Sequence, residues 1–221
     1  MPNKAVRHVA QDPGLRTGLW RSVGHSSNAF FKESFIDELA QRAGIDELQF
    51  RLANMKNNPR LTEATELVAA KAGWGKALPG GHFHGLATHS SFGSAVAQIA
   101  EVSVEGTKIV VHKVTAAIHC GLVVNPGIVR DAVEGGIIFG LTAALHGEIT
   151  LVDGVIQQSN FHSYPMLRMA DAPKVEVHIV ESQEHPEGVG EPGLPPLAPA
   201  VANAVFKASG QRLRDLPLRL S

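Results

Sequence analysis

One carboxylate stands alone in the stretch Gly188-Val189-Gly190-Glu191-Pro192-Gly193, which runs on into Leu194-Pro195-Pro196-Leu197-Ala198-Pro199. Among these twelve residues only Glu191 ionises, and three glycines and four prolines surround it. Glycine allows left-handed backbone and close approach, whereas each proline fixes φ, so the stretch reads as a stiff, sharply turned loop. A rigid loop presenting a single carboxylate ahead of an apolar helical stretch is what a positioned general acid or base requires. On local grounds alone the same glutamate is equally well read as a solvated loop carboxylate, because most glutamates are exposed.

The other chemical candidates carry less. Gly188-x-Gly190-x-x-Gly193 spells the dinucleotide-binding fingerprint, which needs a strand directly before it and a helix opening at once, so that phosphate meets the helix N-terminus. Here a polar stretch, Glu181–Glu187, separates strand from motif, and Pro195 and Pro196 follow Gly193 where the helix should begin, removing amides that phosphate needs. The nucleotide reading is therefore set aside. His82 and His84 could share a metal if extended, but no third ligand lies at a recognisable spacing, and loop histidines are the simpler reading. His119-Cys120 invites a thiol nucleophile; a lone cysteine is more often buried and inert. Arg21, beside Trp20, could clamp an anion or a polar substrate, or cap a helix, and local sequence does not decide.

The elements that must position these residues follow from periodicity. Phe31, Phe35, Leu39 and Ala43 recur every fourth position, with Ile36 and Ala40 alongside, and predict a helix over Ser27–Ala43 with this stripe turned inward and Gly44 as its stop. Asp46 caps a second helix with Gln49 as a capping-box partner and Leu48, Leu52 and Met55 as its stripe; Thr62 opens a third, closed by Gly73. The period then changes. Gly85–Phe92, Ser94–Val104 and Lys108–Ile118 read as strands, the last two joined by a hairpin at Glu105-Gly106-Thr107, and the third apolar enough to lie centrally, covered on both faces. Asn125-Pro126-Gly127 starts a long helix with Gly135, Gly136 and Gly140 inside it; each glycine costs about 1 kcal/mol there, so another backbone or a ligand is expected to come close. Gly147–Val152 and Val155–Gln158 form a hairpin around Asp153-Gly154, Lys174–Val180 a strand, and Pro199–Ala208 the last helix, before Gly210. The expected fold class is α+β, mixed sheets packed with helices. Its parts are a poorly structured lead-in (1–18), a helical segment (19–80) and a final α+β segment (81–221).

Composition bounds the partners. Hydrophobic residues make up 44% and charged residues 19% of 221, as in a globular chain. A net charge of −1 gives no basic footprint and argues against nucleic acid. One cysteine excludes an intrachain disulfide and any all-cysteine zinc or iron–sulfur site made by this chain alone. No apolar run is long enough for a membrane span. Met1–His8 lacks the apolar core of a signal peptide, and no folding signal appears before Leu19, so the chain is expected to begin partway through a larger protein. Cytoplasm and periplasm both stay open as compartments.

Several segments in order carry a resemblance: Trp20–Gly24 with FKESFIDELA, then AKAGWGKALP, SFGSAVAQIAEVSV, CGLVVNP, VEGGIIFGLTAAL and GVGEPGLPPLAPAVANA. Together they resemble the molybdopterin-binding large subunit of the xanthine dehydrogenase and aldehyde oxidase family, most of all the branch that holds the isoquinoline 1-oxidoreductase beta subunit. The resemblance covers about residues 15–220. It implies the molybdopterin-binding fold and a molybdenum hydroxylase that oxidises aldehyde or N-heteroaromatic carbons with oxygen from water. The implied cofactor is molybdenum–molybdopterin cytosine dinucleotide, with electrons leaving through [2Fe–2S] clusters on a separate small subunit. The same resemblance makes the family's Val-Gly-Glu glutamate, here Glu191, the base that takes the proton of the attacking oxygen. Arg21, Ser22, Val23 and Gly24 resemble a loop near the metal and substrate. Gly135 and Gly136 resemble the part of a helix that approaches the cofactor, and Gly190 is the glycine of the motif.

Two departures qualify what the resemblance implies. Where the family commonly has a glutamine before Val-Glu-Gly-Gly, this chain has Ala132, whose methyl cannot replace an amide's hydrogen bonds. The family's large subunit is also far longer, so this chain corresponds to its C-terminal portion. The expected partners are the upstream part of the molybdenum subunit, the small [2Fe–2S] subunit and a small N-heterocycle or aldehyde. The alternative is a non-catalytic fragment or degenerate paralogue that binds no cofactor and acts in assembly, with an exposed apolar surface through which it self-associates.

Overall fold

The computed structural model describes residues 5–12 and 14–220. Of the expected lead-in, Met1–Lys4 and Pro13 lie outside the described residues, as does Ser221 at the other end; residues 5–12 are exposed and without regular secondary structure.

Three helices come first: α1 (Gly24–Ala43), α2 (Glu47–Asn54) and α3 (Pro59–Ala72). The Asp46 carboxylate caps α2, accepting from the amides of Leu48 and Gln49. α3 opens at Pro59, three residues before the expected Thr62, because Asn58 accepts from the Leu61 amide and Pro59 needs no donor at the first position. Gly44 and Gly73 end their helices in the left-handed conformation. Then β1 (Phe83–Ser91), β2 (Ser94–Glu105) and β3 (Lys108–His119) form an antiparallel meander. α4 (Pro126–Leu145) follows, capped by Asn125. The hairpin beyond it is shorter than expected, pairing only β4 (Leu151–Val152) with β5 (Val155–Ile156). β6 (Lys174–Ile179) returns parallel to β3, giving the order β1-β2-β3-β6, and α5 (Leu197–Ser209) closes the chain's regular structure. The fold is α+β.

Alternation along the strands decides what covers the sheet. Leu86, Ala97, Ile99 and Ala117 pack with Ala64 and Val68 of α3 on one face. Ala87, Val96, Val114 and Ile118 pack with Val133, Ile137 and Leu141 of α4 and Leu197 and Val201 of α5 on the other. β3 is doubly covered, as expected, over Val114–His119, whereas Lys108–Val110 are exposed or half-buried. Two of the three helix glycines mark close approach: a Cβ on Gly136 would stand 3.3 Å from the Gly193 carbonyl carbon, and one on Gly140 2.9 Å from Leu197 Cδ2, whereas Gly135 is open. No helix among the described residues is long and apolar enough to cross a membrane.

The inward face of α1 is not the expected one. Phe31 and Phe35 are 64% and 58% exposed, and Leu39 and Ala43 also face out. Ala29, Phe30, Glu33, Asp37 and Ala40 face in. The helical period holds, but the face is displaced because two carboxylates on α1 find buried partners. Glu33 pairs with Arg51 at 2.9 Å, and Asp37 with Arg212 at 2.7 Å. A paired, hydrogen-bonded charge can be buried where a lone one cannot.

Candidate functional site

The loop between β6 and α5 is threaded along the ends of the sheet. The Leu122 amide donates to Glu184 O, the Glu187 amide to Cys120 O and the Gly188 amide to Phe92 O. It then drops onto α4 at Gly193, where a Cβ would lie 2.9 Å from both Cα and O of Val133. Only glycine fits so close to a backbone. Leu194 donates its amide to Glu191 O at 3.1 Å, making a turn whose half-buried first residue carries the carboxylate. Leu194, Pro195 and Pro196 are buried and lead into α5, which starts at the buried Leu197.

The facing wall is the turn just before α1. Ser22 is fully buried at φ 69°, and Val23 sits at φ 42°, a conformation that costs a β-branched residue about 1–3 kcal/mol. That turn brings both hydrogen-bonding groups of Ser22 to one residue. Its amide donates to Glu191 Oε1 at 2.8 Å, and its hydroxyl donates to Glu191 O at 2.7 Å. Arg21 fastens the loop to α4: Nε donates to Gly190 O at 2.8 Å, and Nη2 donates to Gly190 O and, at 3.1 Å, to Ala132 O. Its Nη1 makes no hydrogen bond among the described residues and lies 4.0 Å from where a Cβ of Gly135 would be.

The structure thus gathers Arg21, Ser22, Gly135, Gly190 and Glu191 from stretches far apart in the chain. Val23 and Gly24 lie exposed beside them, and Gly136 turns the other way, against Gly193. One oxygen of Glu191 is fixed by a backbone amide, while Oε2 has no partner among the described residues. Chemically this is a carboxylate held in a set orientation with one acceptor oxygen free, beside a guanidinium with one free donor edge and two open glycines.

The remaining candidates resolve without chemistry. Cys120 is 2% exposed, and burial pushes its thiol pKa up, which keeps it protonated. His84 lies on β1, and His82 Nδ1 meets Glu101 Oε1 at 2.6 Å. Among the described residues, no group of three or more His, Cys, Asp or Glu is arranged to hold a metal ion.

Sequence reasoning missed four residues next to the site. Ser94 and Gln98 of β2 donate to the carbonyls of Gly188 and Gly193. The signal was present, since Gln98 is polar inside Ala95-Val96-Ala97-Gln98-Ile99-Ala100. His25 Nδ1 and His89 Nε2 meet at 3.0 Å, joining the first turn of α1 to β1; nothing in the sequence links them. His89 is 8% exposed, and its pKa is lowered to about 4, first by burial and then by the charges of Lys32 and His25. The unfolded chain therefore binds the extra proton near pH 6.5 and the folded one only near 4. This histidine's contribution to stability is present above pH 6.5 and lost as pH falls through 4. Between pH 7 and pH 5 the loss is on the order of 2 kcal/mol. Urea titrations at the two pH values should show a smaller difference for His89→Gln than for the parent chain; an equal difference would show that His89 does not titrate this way.

Comparison with known proteins places these features in context. Residues 31–173 match the family described as the molybdopterin cofactor-binding domain. The beta subunit of isoquinoline 1-oxidoreductase from Brevundimonas diminuta is 38% identical over 204 residues, covering 90% of this chain and 26% of that protein. A membrane-bound aldehyde dehydrogenase of Gluconacetobacter polyoxogenes, whose name carries pyrroloquinoline-quinone, is 32% identical over 98% of this chain and 31% of its own length. A nicotinate dehydrogenase subunit from Pseudomonas putida is 31% identical over 93% of this chain and 19% of its own length. The chain therefore spans less than a third of each of these relatives.

Proposed function

Because this chain belongs to the molybdopterin cofactor-binding domain family, we propose that it is the C-terminal part of a molybdenum hydroxylase large subunit, with Glu191 as its general base. The single observation that supports this most is the Glu191 carboxylate itself, oriented by the Ser22 amide with Oε2 left free.

The residues suit an oxygen-rich, anionic group. Arg21 Nη1 is an unused donor, Gly190 has nothing within 4 Å of a notional Cβ, and Gly135 has only Arg21 there. These residues, with Ser22–Gly24, would hold one side of a molybdenum–molybdopterin group, in its cytosine dinucleotide form. At 132 the side chain is a methyl and the carbonyl is taken by Arg21, so this position adds no amide donor. The group, when bound, supplies the oxidising centre that accepts the substrate's electrons, which then pass to [2Fe–2S] clusters on a partner subunit.

The chain's own part is to bind, orient and move a proton. Arg21 ties the loop to α4 and so sets the distance between Gly190 and the Gly135 face. Ser22 fixes one carboxylate oxygen, which leaves Glu191 Oε2 to take a proton from the attacking water-derived oxygen. Its substrates on this reading are aldehydes or N-heteroaromatic rings.

Co-expression of this chain with the rest of the subunit, followed by molybdenum and pterin analysis of the purified complex, tests the reading. Both are expected near one equivalent per complex. A folded complex carrying neither would overturn the enzymatic reading in favour of a non-catalytic assembly part.

A further inference from the structure

The six-residue loop that carries Glu191 is gripped at both ends by one strand. Ser94 and Gln98 stand four residues apart on β2, which places both side chains on one face of the sheet. Ser94 Oγ donates to Gly188 O at 2.6 Å, and Gln98 Nε2 donates to Gly193 O at 2.6 Å. Gly188 and Gly193 are the first and last residues of the loop, and Glu191 lies between them.

Neither side chain is where stability alone would put it. Ser94 is 1% and Gln98 0% exposed, and the residues between and beyond them on this face, Val96 and Ala100, are core apolar residues. Gln98 Oε1 is buried with no partner among the described residues. An unsatisfied buried acceptor typically costs about 1–3 kcal/mol, so an apolar side chain of similar length would be favoured unless the Nε2 contact matters. The loop it holds needs holding. Glycine at both ends lets even a stiff loop swing as a unit, and the Arg21 and Ser22 contacts reach only its middle, at Gly190 and Glu191; at the ends the Gly188 amide bonds Phe92 O and Gly193 packs on Val133.

We propose that Ser94 and Gln98 are positioning residues for Glu191, a two-point clamp that fixes the ends of its loop so that the Ser22 amide and the Arg21 guanidinium determine where the carboxylate points. This rests on Glu191 being the base. Reacting groups displaced by about 1 Å can lose on the order of a hundredfold in rate, so a loop free to shift on this scale would be a poor base even with every contact to Ser22 intact.

The test uses Ser94→Ala, Gln98→Met and Ser94→Thr in the complete enzyme complex, with two readouts. Hydrogen exchange across residues 188–194 should quicken about tenfold or more in Ser94→Ala and Gln98→Met, and not through α5 or the sheet. In the same two variants kcat should fall about tenfold to a hundredfold with KM and molybdenum content unchanged, while Ser94→Thr, which keeps the hydroxyl, retains parent values. Unchanged loop exchange in both variants overturns the clamp, as does faster exchange spread evenly over α5 and β2, which marks a merely structural role. Faster loop exchange with unaltered kcat overturns the positioning role. If Glu191→Gln keeps its turnover, the general-base reading is what fails, and the exchange data still decide whether the clamp exists.

Discussion

Glu191→Gln in the assembled enzyme is expected to lower kcat by about 10²- to 10⁴-fold, the usual contribution of a general base, with KM, molybdenum content and melting temperature unchanged. The expectation follows from what the amide keeps and what it loses. Its oxygen can still accept from the Ser22 amide, which now meets Glu191 Oε1 at 2.8 Å, and Ser22 Oγ bonds the backbone carbonyl whatever the side chain is. The loop should therefore stay in place. The free Oε2 is replaced by an NH₂ group, which cannot take a proton. Because the lost interaction is made only as the proton moves, kcat and kcat/KM should fall together. Steady-state kinetics beside metal analysis separates the outcomes. Loss of molybdenum with loss of turnover would make Glu191 structural, and retained turnover would remove it from the mechanism altogether.

How much of this was legible in the sequence differs from residue to residue. The turn chemistry was local and therefore readable: Gly44, Gly73 and Asn125-Pro126 end or begin helices where expected. The three long strands follow, within a few residues of their ends, from the change of period after Gly85, the Glu105-Gly106-Thr107 turn and the apolar run of the third. The stiffness of the Gly188–Gly193 loop could also be read, but not what it faces. Ser22 and Glu191 lie 169 residues apart, and the contact exists only because Ser22 and Val23 adopt positive φ, which neither side chain signals. The face of α1 was hidden for a related reason. Hydrophobic periodicity assumes that charges face water, and Glu33 and Asp37 do not, because arginines from α2 and from the chain's end reach them. Periodicity puts Phe31 and Phe35 in the interior, and tertiary ion pairing overrides it.

That same network sets the largest expected loss of stability. Arg51→Met should destabilise the fold by about 3–5 kcal/mol, the range seen when one partner of a buried ion pair is removed. Arg51 is 2% exposed, and its guanidinium serves two helices at once. Nε donates to Glu33 Oε2 at 2.9 Å, Nη2 to Glu33 O at 3.1 Å and Nη1 to Glu47 O at 3.1 Å. Glu33 Oε2 also accepts from the Thr88 amide at 2.9 Å, so α1, α2 and β1 converge on one carboxylate. Asp37 is less well served: Oδ1 has no hydrogen-bond partner among the described residues, and Arg51 Nη1 stands 3.8 Å away. Burial accordingly raises the Asp37 pKa even though Arg51 and Arg212 pull it down. Methionine fills much of the volume but leaves Glu33 without its buried cation and Asp37 with Arg212 alone. Protonation relieves such a group. Asp37 already binds a proton more readily folded than unfolded, so its favourable contribution is present at low pH and lost as pH rises through the folded pKa. Losing Arg51 removes one of the charges that lower this pKa and widens that window upward. The gap between Arg51→Met and the parent chain should therefore be widest near pH 7 and narrow toward pH 5, and adding Glu33→Gln and Asp37→Asn should recover most of it. Urea unfolding at the two pH values decides: a cost below about 1 kcal/mol, or one that does not vary with pH, would mean the charges are not held as described. The lesion would also reach the site, because the helix that Glu33 anchors to the sheet is the one whose first turn follows Ser22 and the amide that orients Glu191.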